Sequence, residues 1–182
     1  SDGGYLISGK SSGETCYIIK TDDTGNELWS NDFQGRRGYS IVQSGDGNYV
    51  VGGLWQSDTY DFWLLKFDTD GNTIFEETYG GTWTDLAWDM QETLDSGFIL
   101  VGETNSYGNG NDDVYLIKTD VKGTYVWSKA YGGTVWDVGY SVDQTLDGGF
   151  VIGGLSSSYG SGGYDAVMII TDNTGNLQWA KA

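Results

Sequence analysis

Two loop aspartates, Asp85 and Asp137, have the residue type and the placement that chemistry would need. They recur at one position of consecutive repeats, and Trp83 and Trp136 lie beside them. Two facing carboxylates can act as acid and base in the hydrolysis of a glycosidic bond. They can also bind Ca²⁺, which prefers oxygen ligands, or simply cap a turn. An earlier repeat carries Arg36 at this position.

An aromatic ring beside carboxylates is a common way of holding a sugar, through stacking and hydrogen bonds. The same rings can instead pack the edges of neighbouring repeats. We predict a ligand-binding surface made by Arg36, Trp83, Asp85, Trp136 and Asp137. Ca²⁺ is the metal that the oxygen-rich composition favours, with Asp85 and Asp137 as its ligands. No catalytic residue is predicted.

Covalent catalysis and thiolate or imidazole metal sites have little support in the composition. The chain has no histidine, and Cys16 is its single cysteine, which excludes an internal disulfide. A serine nucleophile would need a lysine or a carboxylate as its base. The lysines, however, lie at regular strand positions, as Lys20, Lys66 and Lys118 do.

Four copies of one segment organise the chain. They begin at Asp2, Asp46, Asp95 and Asp147, at spacings of 44 to 52 residues, and each passes through a turn into an apolar run. A repeat of this length is one supersecondary unit that must stack on its neighbours to bury its faces.

Each repeat contains four short strand patterns, which we label A to D. In the third repeat, residues 87–93 alternate as strand A, and the apolar runs 98–102 and 114–118 predict strands B and C, buried on both faces. Residues 124–130 predict strand D. Four-stranded antiparallel units near 50 residues predict an all-β fold, a β-propeller, rather than a linear solenoid. The predicted blades are a partial blade 1 at 1–35, blade 2 at 36–81, blade 3 at 82–133 and blade 4 at 134–182.

A recurring turn and a recurring ring are interpreted as architecture. The turn between strands C and D reads Asp-x-x-Gly, in which aspartate bonds its own backbone and glycine adopts the left-handed conformation. Four residues after each turn glycine lies a large ring, which we expect to wedge against the neighbouring sheet. These rings are Trp29, Phe75, Trp127 and Trp179.

The phase of the repeat leaves the first blade without a strand A. The sequence opens on a strand B and closes on a strand D, and we expect it to be processed or excised from a longer protein. Three arrangements stay open: an arc of about four repeats, part of a larger or oligomeric propeller, and a small four-bladed ring. In the oligomeric case the incomplete first blade would mediate self-association.

The charge of the chain restricts its partners. Acidic residues number 26 against 9 basic ones, a formal net charge of −17. Such a surface repels nucleic acid and anionic membranes, so we expect neither partner. No apolar run is long enough to span a bilayer. The acidity suits solubility, cation binding or an ion-rich extracellular medium, and we expect an extracellular or cell-surface location.

The repeat pattern resembles a known family. Asp-Gly-Gly-(Tyr/Phe) before an aliphatic run, Lys-Thr-Asp-x-x-Gly-Asn-x-x-Trp and Tyr-Gly-Gly together resemble β-propeller repeats of secreted and cell-surface proteins of archaea and bacteria. Residues 19–29 and 172–179 also resemble the tryptophan-docking motif of quinoprotein-type propellers. In that family the motif locks adjacent blades and does not bind the quinone, so this resemblance implies fold and not redox chemistry.

We therefore expect a non-catalytic extracellular module for structure, adhesion or recognition. Its ligand, a protein or a carbohydrate, would bind at the loop face. One alternative is a polysaccharide-acting enzyme that uses Asp85 and Asp137 as acid and base. The other is a self-assembling scaffold.

Overall fold

Fifteen β-strands form the described part of the chain. The structure is a computed structural model that describes residues 3–11 and 15–182. The strands are β1 (Leu6–Ser11), β2 (Thr15–Thr21), β3 (Glu27–Gln34), β4 (Arg36–Gln43), β5 (Tyr49–Gln56), β6 (Tyr60–Phe67), β7 (Thr73–Tyr79), β8 (Asp85–Glu92), β9 (Phe98–Thr104), β10 (Asp113–Thr119), β11 (Tyr125–Tyr131), β12 (Asp137–Gln144), β13 (Phe150–Ser156), β14 (Asp165–Thr171) and β15 (Leu177–Lys181).

These strands form four antiparallel sheets, each a meander in chain order. Sheet 1 contains β1–β3, sheet 2 contains β4–β7, sheet 3 contains β8–β11 and sheet 4 contains β12–β15. The prediction of an all-β, propeller-like fold is confirmed. Among the residues that the structure describes, sheet 1 has three strands and no strand A, as the phase of the repeat predicts. Within the described residues no helix could cross a membrane.

Local chemistry explains the turns between strands C and D. In each turn one aspartate Oδ1 accepts a hydrogen bond of 2.8 Å from the backbone N–H four residues later. The turn glycines have φ between +76° and +88°, a region that glycine enters without steric cost. The four aspartate and glycine pairs are Asp22 and Gly25, Asp68 and Gly71, Asp120 and Gly123, and Asp172 and Gly175.

Three hydrophobic clusters lie between consecutive sheets. Each cluster combines side chains of strands B and C from one sheet with those from the facing side of the next sheet. Between sheets 2 and 3, for example, Val50 and Leu64 meet Leu100 and Ile117, all fully buried. Because strand side chains alternate between faces, a sheet with neighbours on both sides needs an apolar side chain at every position.

The recurring ring of strand D also contacts the next sheet. It lies over the B strand or C strand of that sheet and beside its C–D turn. Trp29 adds a hydrogen bond of 2.9 Å from its indole N–H to the carbonyl oxygen of Thr69. The ring pairs, with their centroid distances, are Trp29 and Phe67 at 5.6 Å, Phe75 and Phe98 at 6.3 Å, and Trp127 and Phe150 at 5.8 Å.

The stack of sheets is open. Sheet 1 packs on sheet 2, sheet 2 on sheet 3, and sheet 3 on sheet 4. In residues 3–11 and 15–182, no strand of sheet 1 packs on a strand of sheet 4 to a comparable extent. Two end faces, one on each terminal sheet, therefore have no neighbouring sheet.

The contact between Trp127 and sheet 4 predicts a difference between two equivalent tryptophans. Trp127→Ala removes a ring packed on Phe150 and should lower the free energy of unfolding by about 2 kcal/mol. No sheet of the described residues covers the Trp179 ring, which is exposed, so Trp179→Ala should cost less than about 1 kcal/mol. Urea denaturation of both variants measures the difference, and equal losses would contradict the packing role.

Candidate functional site

The predicted site residues lie at one end of the sheets, where the D–A and B–C loops meet. We call these loops the rim. Backbone hydrogen bonds tie them together: Gln56 N–H donates to the Gly35 carbonyl, Asn105 N–H to that of Thr84, and Ser157 N–H to that of Trp136. Each of these hydrogen bonds therefore joins a D–A loop to the end of strand B at sheet 2, 3 or 4.

Asp85 is a buried hub of the rim between sheets 2 and 3. Its side chain is fully buried and accepts hydrogen bonds from the hydroxyl of Thr104, from the hydroxyl of Ser106 at 2.8 Å and from the backbone N–H of Gly81 at 2.8 Å. Ser106 also accepts a hydrogen bond of 2.9 Å from the backbone N–H of Trp83. The carboxylate thus joins the D–A loop to the B–C loop.

Asp137 repeats this arrangement between sheets 3 and 4. It is fully buried and accepts hydrogen bonds from the hydroxyl of Ser156, from the N–H of Gly133 at 3.0 Å and from the N–H of Ser158 at 3.3 Å. Oxygens that already accept two or three protein donors are poorly placed to take a proton from a substrate. The structure does not bring Asp85 and Asp137 together, because they lie at different sheet junctions.

Each of these aspartates faces another carboxylate that the sequence reasoning did not single out. Asp61 lies beside Asp85, and Asp113 lies beside Asp137. The paired oxygens at the second junction point at Gly132, whose missing side chain leaves room for them. The signal was present in the sequence, because an aspartate opens strand C in three repeats: Asp61, Asp113 and Asp165.

Burial and the neighbouring charge favour the neutral acid in these pairs. The Asp113 side chain is 1% exposed, and its Oδ1 accepts no hydrogen bond from the described residues. Burial, followed by the charge of Asp137, raises the pKa of Asp113 to about 6, although a hydrogen bond from Asn109 N–H opposes the shift. Burial and Asp85 likewise raise the pKa of Asp61.

The paired carboxylates are the oxygen-rich positions of the rim that a cation would use. Each pair supplies two side chains, whereas Ca²⁺ takes six to eight oxygen ligands. Among the described residues, no three His, Cys, Asp or Glu side chains are grouped as a metal site.

The other predicted residues have separate environments. Arg36 forms an ion pair with Glu76 at 2.9 Å and lies 5.4 Å from the centre of the Trp55 ring. Trp83 is 62% exposed, whereas Trp136 packs edge to face on Tyr164 at 5.5 Å. Arg36 occupies the strand position of Asp85 and Asp137, but it pairs with Glu76 in sheet 2 and donates a hydrogen bond of 2.8 Å to the carbonyl oxygen of Gln34 in sheet 1.

A cleft lined by tyrosines opens beside the Asp61–Asp85 pair. Its volume is about 320 Å³, and its lining residues are Thr78, Tyr79, Gly80, Tyr107, Tyr115, Tyr125 and Ser128. Tyr107 stacks on Tyr115 with ring centres 5.3 Å apart, and its hydroxyl donates to the Gly80 carbonyl at 2.9 Å. Tyr115 donates to Ser128 at 3.0 Å. Hydroxyl groups and ring faces thus share one concave surface.

A row of aromatic rings on the A strands β4, β8 and β12 was also not predicted from the sequence. Tyr39, Trp88 and Tyr140 are the extra residues of β-bulges in β4, β8 and β12, and their ring centres are 5.2 and 6.1 Å apart. Buried Glu103 faces Trp88, and burial, then Asp112, raises its pKa to about 7. Sheets 2 and 4 carry Leu54 and Leu155 at the repeat position of Glu103, so comparing the copies could have identified Glu103.

Comparison with known proteins adds fold similarity alone. No protein-family model matches the sequence, and no curated protein matches it. Two solved structures are similar in fold. One is described as a eukaryotic initiation factor, with a TM-score of 0.56 and 9% identity over 97% of this chain and 42% of that chain. The other is a mutant of the Synechocystis apocarotenoid oxygenase, with a TM-score of 0.52 and 11% identity over 95% of this chain and 45% of that chain. This chain spans less than half the length of both.

The Asp113–Asp137 pair predicts a pH-dependent stability effect. Because the pKa of Asp113 is raised in the folded protein, folded protein retains a proton that unfolded chain loses between about pH 4 and about pH 6. The contribution of Asp113 to the free energy of unfolding therefore falls as the pH rises through that window. Asp113→Asn lets an amide N–H donate to Asp137 and should raise the free energy of unfolding at pH 7 by roughly 1–2 kcal/mol.

Chemical denaturation of wild type and Asp113→Asn across pH 3–8 measures this difference. The gain should vanish below about pH 4, where wild-type Asp113 is neutral in both states. Asp165→Asn is the matched control, because Asp165 opens strand C of sheet 4 and no strand A follows it in the described residues. A gain that is independent of pH, or equal in both variants, would contradict the assignment.

Proposed function

We propose that this protein is a non-catalytic recognition module that binds a carbohydrate at its rim, in the tyrosine-lined cleft between sheets 2 and 3. The observation that carries the proposal is the cleft itself, a concave surface of ring faces and hydroxyl groups next to an exposed tryptophan. Sugars are bound by stacking of their C–H faces on aromatic rings and by hydrogen bonds to polar groups at the ring edge.

The rings of the cleft are held in place before a ligand arrives. The hydroxyl of Tyr79 donates to the Gly123 carbonyl at 2.5 Å, and that of Tyr107 is held by Gly80. Tyr125 lies at the exposed edge, where its hydroxyl is 3.2 Å from Ser128. Side chains that are already fixed lose less conformational entropy on binding, which favours affinity.

Comparison of the copies supports this cleft over its equivalent. The cleft between sheets 3 and 4 retains Tyr131 and Tyr159, but Leu177 replaces Tyr125. Val167 replaces Tyr115 in the same way. The scaffold is common to both junctions, so the extra tyrosines are a difference that architecture does not require.

Binding is favoured over catalysis because the rim aspartates are already used. Asp85 and Asp137 are buried and accept hydrogen bonds from serine and threonine hydroxyls and from backbone N–H groups. The rival function, a polysaccharide-acting enzyme, has one observation in its favour: the Asp61–Asp85 pair lies next to the cleft and raises the pKa of Tyr107, after the larger effect of burial. Two adjacent carboxyl groups are a recurrent acid–base arrangement.

An extracellular or cell-surface location accompanies this proposal. The net charge of −17 and the resemblance of the repeats to propellers of secreted and cell-surface proteins support it. The contacts of Trp29 and Trp127 with the next sheet support the further proposal that these repeats are related to tryptophan-docking propellers.

The cleft predicts a specific loss of carbohydrate binding. An array of neutral oligosaccharides identifies the strongest binder, and titration calorimetry then measures its affinity. Tyr125→Ala should weaken binding about tenfold, the typical value of one stacked ring. Leu177→Ala, at the equivalent position of sheet 4, should leave the affinity unchanged.

The same oligosaccharides distinguish the rival function. Release of reducing ends by wild type, lost in Asp85→Asn, would establish an enzyme and overturn the binding module. No binding to any oligosaccharide, or equal losses in the Tyr125 and Leu177 variants, would also contradict the proposal.

A further inference from the structure

The outer face of sheet 1 has an apolar surface that is buried in every other sheet. It carries Tyr5, Ile7 and Tyr17, and Ile7 is 52% exposed. The repeat-equivalent residues of the other sheets are all buried against the preceding sheet. They are Tyr49, Val51 and Trp63 in sheet 2, Phe98, Leu100 and Tyr115 in sheet 3, and Phe150, Ile152 and Val167 in sheet 4.

Sheet 4 exposes the opposite face. Met168 is 49% exposed, and Ala166 is exposed beside it. The equivalent residues of sheets 2 and 3 are fully buried against the following sheet: Phe62 and Leu64 in sheet 2, and Val114 and Leu116 in sheet 3. These faces of sheets 1 and 4 correspond to the two halves of the interface that the molecule forms three times internally.

Sheet 4 also differs from the other copies in a way that suits an apolar neighbour. The first three sheets carry a lysine near the end of strand C, at Lys20, Lys66 and Lys118. Sheet 4 has Ile170 at this position. The exposed face of sheet 4 therefore lacks the ammonium group that its counterparts bear.

The contact between the strand D ring of one sheet and the C–D turn of the next is also incomplete at both ends of the stack. Sheet 1 presents a turn without a ring, and sheet 4 presents a ring without a turn. At internal junctions, a Cβ placed on the turn glycine would lie 2.6 Å from the ring of Phe75 at Gly123 and 2.7 Å from that of Trp127 at Gly175. At Gly25, in sheet 1, a Cβ would meet nothing within 4 Å. Trp179, the ring that ends the series, is 41% exposed.

We propose that these two end faces bind each other between copies, so that sheet 4 of one chain packs head to tail on sheet 1 of a second copy. Trp179 would lie over the Gly25 turn of the partner, as Trp127 lies over Gly175. A second copy is the occupant that the interface specifies, because both halves are present on one chain and complement each other. The joint spans strands B, C and D, since sheet 1 has no strand A.

The charge of the protein sets a condition on this association. Each copy has a net charge of −17, so two copies repel each other at low ionic strength. Added salt screens this repulsion, and the apolar faces gain from it. We therefore expect the associated fraction to rise with NaCl concentration. A contact held by ion pairs would weaken instead.

Sedimentation velocity of the 182-residue chain over a range of micromolar concentrations tests the proposal. Wild type should sediment as a dimer or a higher multiple. Ile7→Lys and Met168→Lys should each raise the dissociation constant at least about tenfold, as expected for a residue at the centre of an interface. Both side chains are exposed in the single chain, so each variant should unfold at the wild-type temperature when both are measured at a concentration at which wild type is monomeric.

Mixing the two variants identifies the geometry of the contact. The Ile7→Lys chain keeps an intact sheet 4 face, and the Met168→Lys chain keeps an intact sheet 1 face. A head-to-tail contact therefore restores one joint in the mixture and gives a dimer that grows no further. Leu94→Lys changes an exposed leucine of sheet 3, which has a neighbouring sheet on each side, and should associate like wild type.

Three results would overturn the proposal. They are a monomer at every concentration and salt level, association that neither lysine variant weakens, and a mixture of the two variants that stays monomeric. Association that one lysine variant abolishes and the other leaves unchanged would indicate a contact between like faces, which also contradicts the head-to-tail joint.

Discussion

The burial of two apolar faces on every sheet is the constraint on which the rest of this structure depends. Strand side chains alternate between the faces, so a sheet with apolar residues at every position of strands B and C needs a neighbour on each side. The molecule satisfies this need three times with one interface, supplemented by a ring from strand D. The C–D turns take part in this packing, since the ring of one sheet lies against the turn glycine of the next.

The rim shows how this acidic chain accommodates its carboxylates. Buried aspartates at the D–A loops accept hydrogen bonds from hydroxyl and N–H donors and thereby hold neighbouring loops together. A second aspartate at each junction faces the first, and burial with like charge raises its pKa. What varies between the two junctions is the aromatic lining, where Tyr115 and Tyr125 correspond to Val167 and Leu177. A common scaffold with a variable lining is the usual basis of recognition on loop surfaces.

Much of the fold was predictable from the sequence because its signals are local and repeated. An Asp-x-x-Gly turn forms its own hydrogen bonds within five residues, and a period of two in hydrophobicity marks a strand. The site was less predictable, because its contacts join residues that are distant in the chain. Asp113 and Asp137 belong to adjacent sheets, and Arg36, which shares the repeat position of Asp85 and Asp137, pairs instead with Glu76. Repeat position identifies equivalent backbone positions but not the partners that side chains find across a sheet.

The sequence by itself determined the repeat, the order of strands within each sheet and the turn chemistry, since each depends on patterns no longer than one repeat. Only the tertiary structure decided that Asp85 and Asp137 are buried and satisfied, that Asp61 and Asp113 face them, and that a tyrosine-lined cleft opens at one junction. It also decided which apolar faces are covered and which two are exposed. The physical reason is that burial and hydrogen-bond pairing are properties of the space between sheets, which no single repeat encodes.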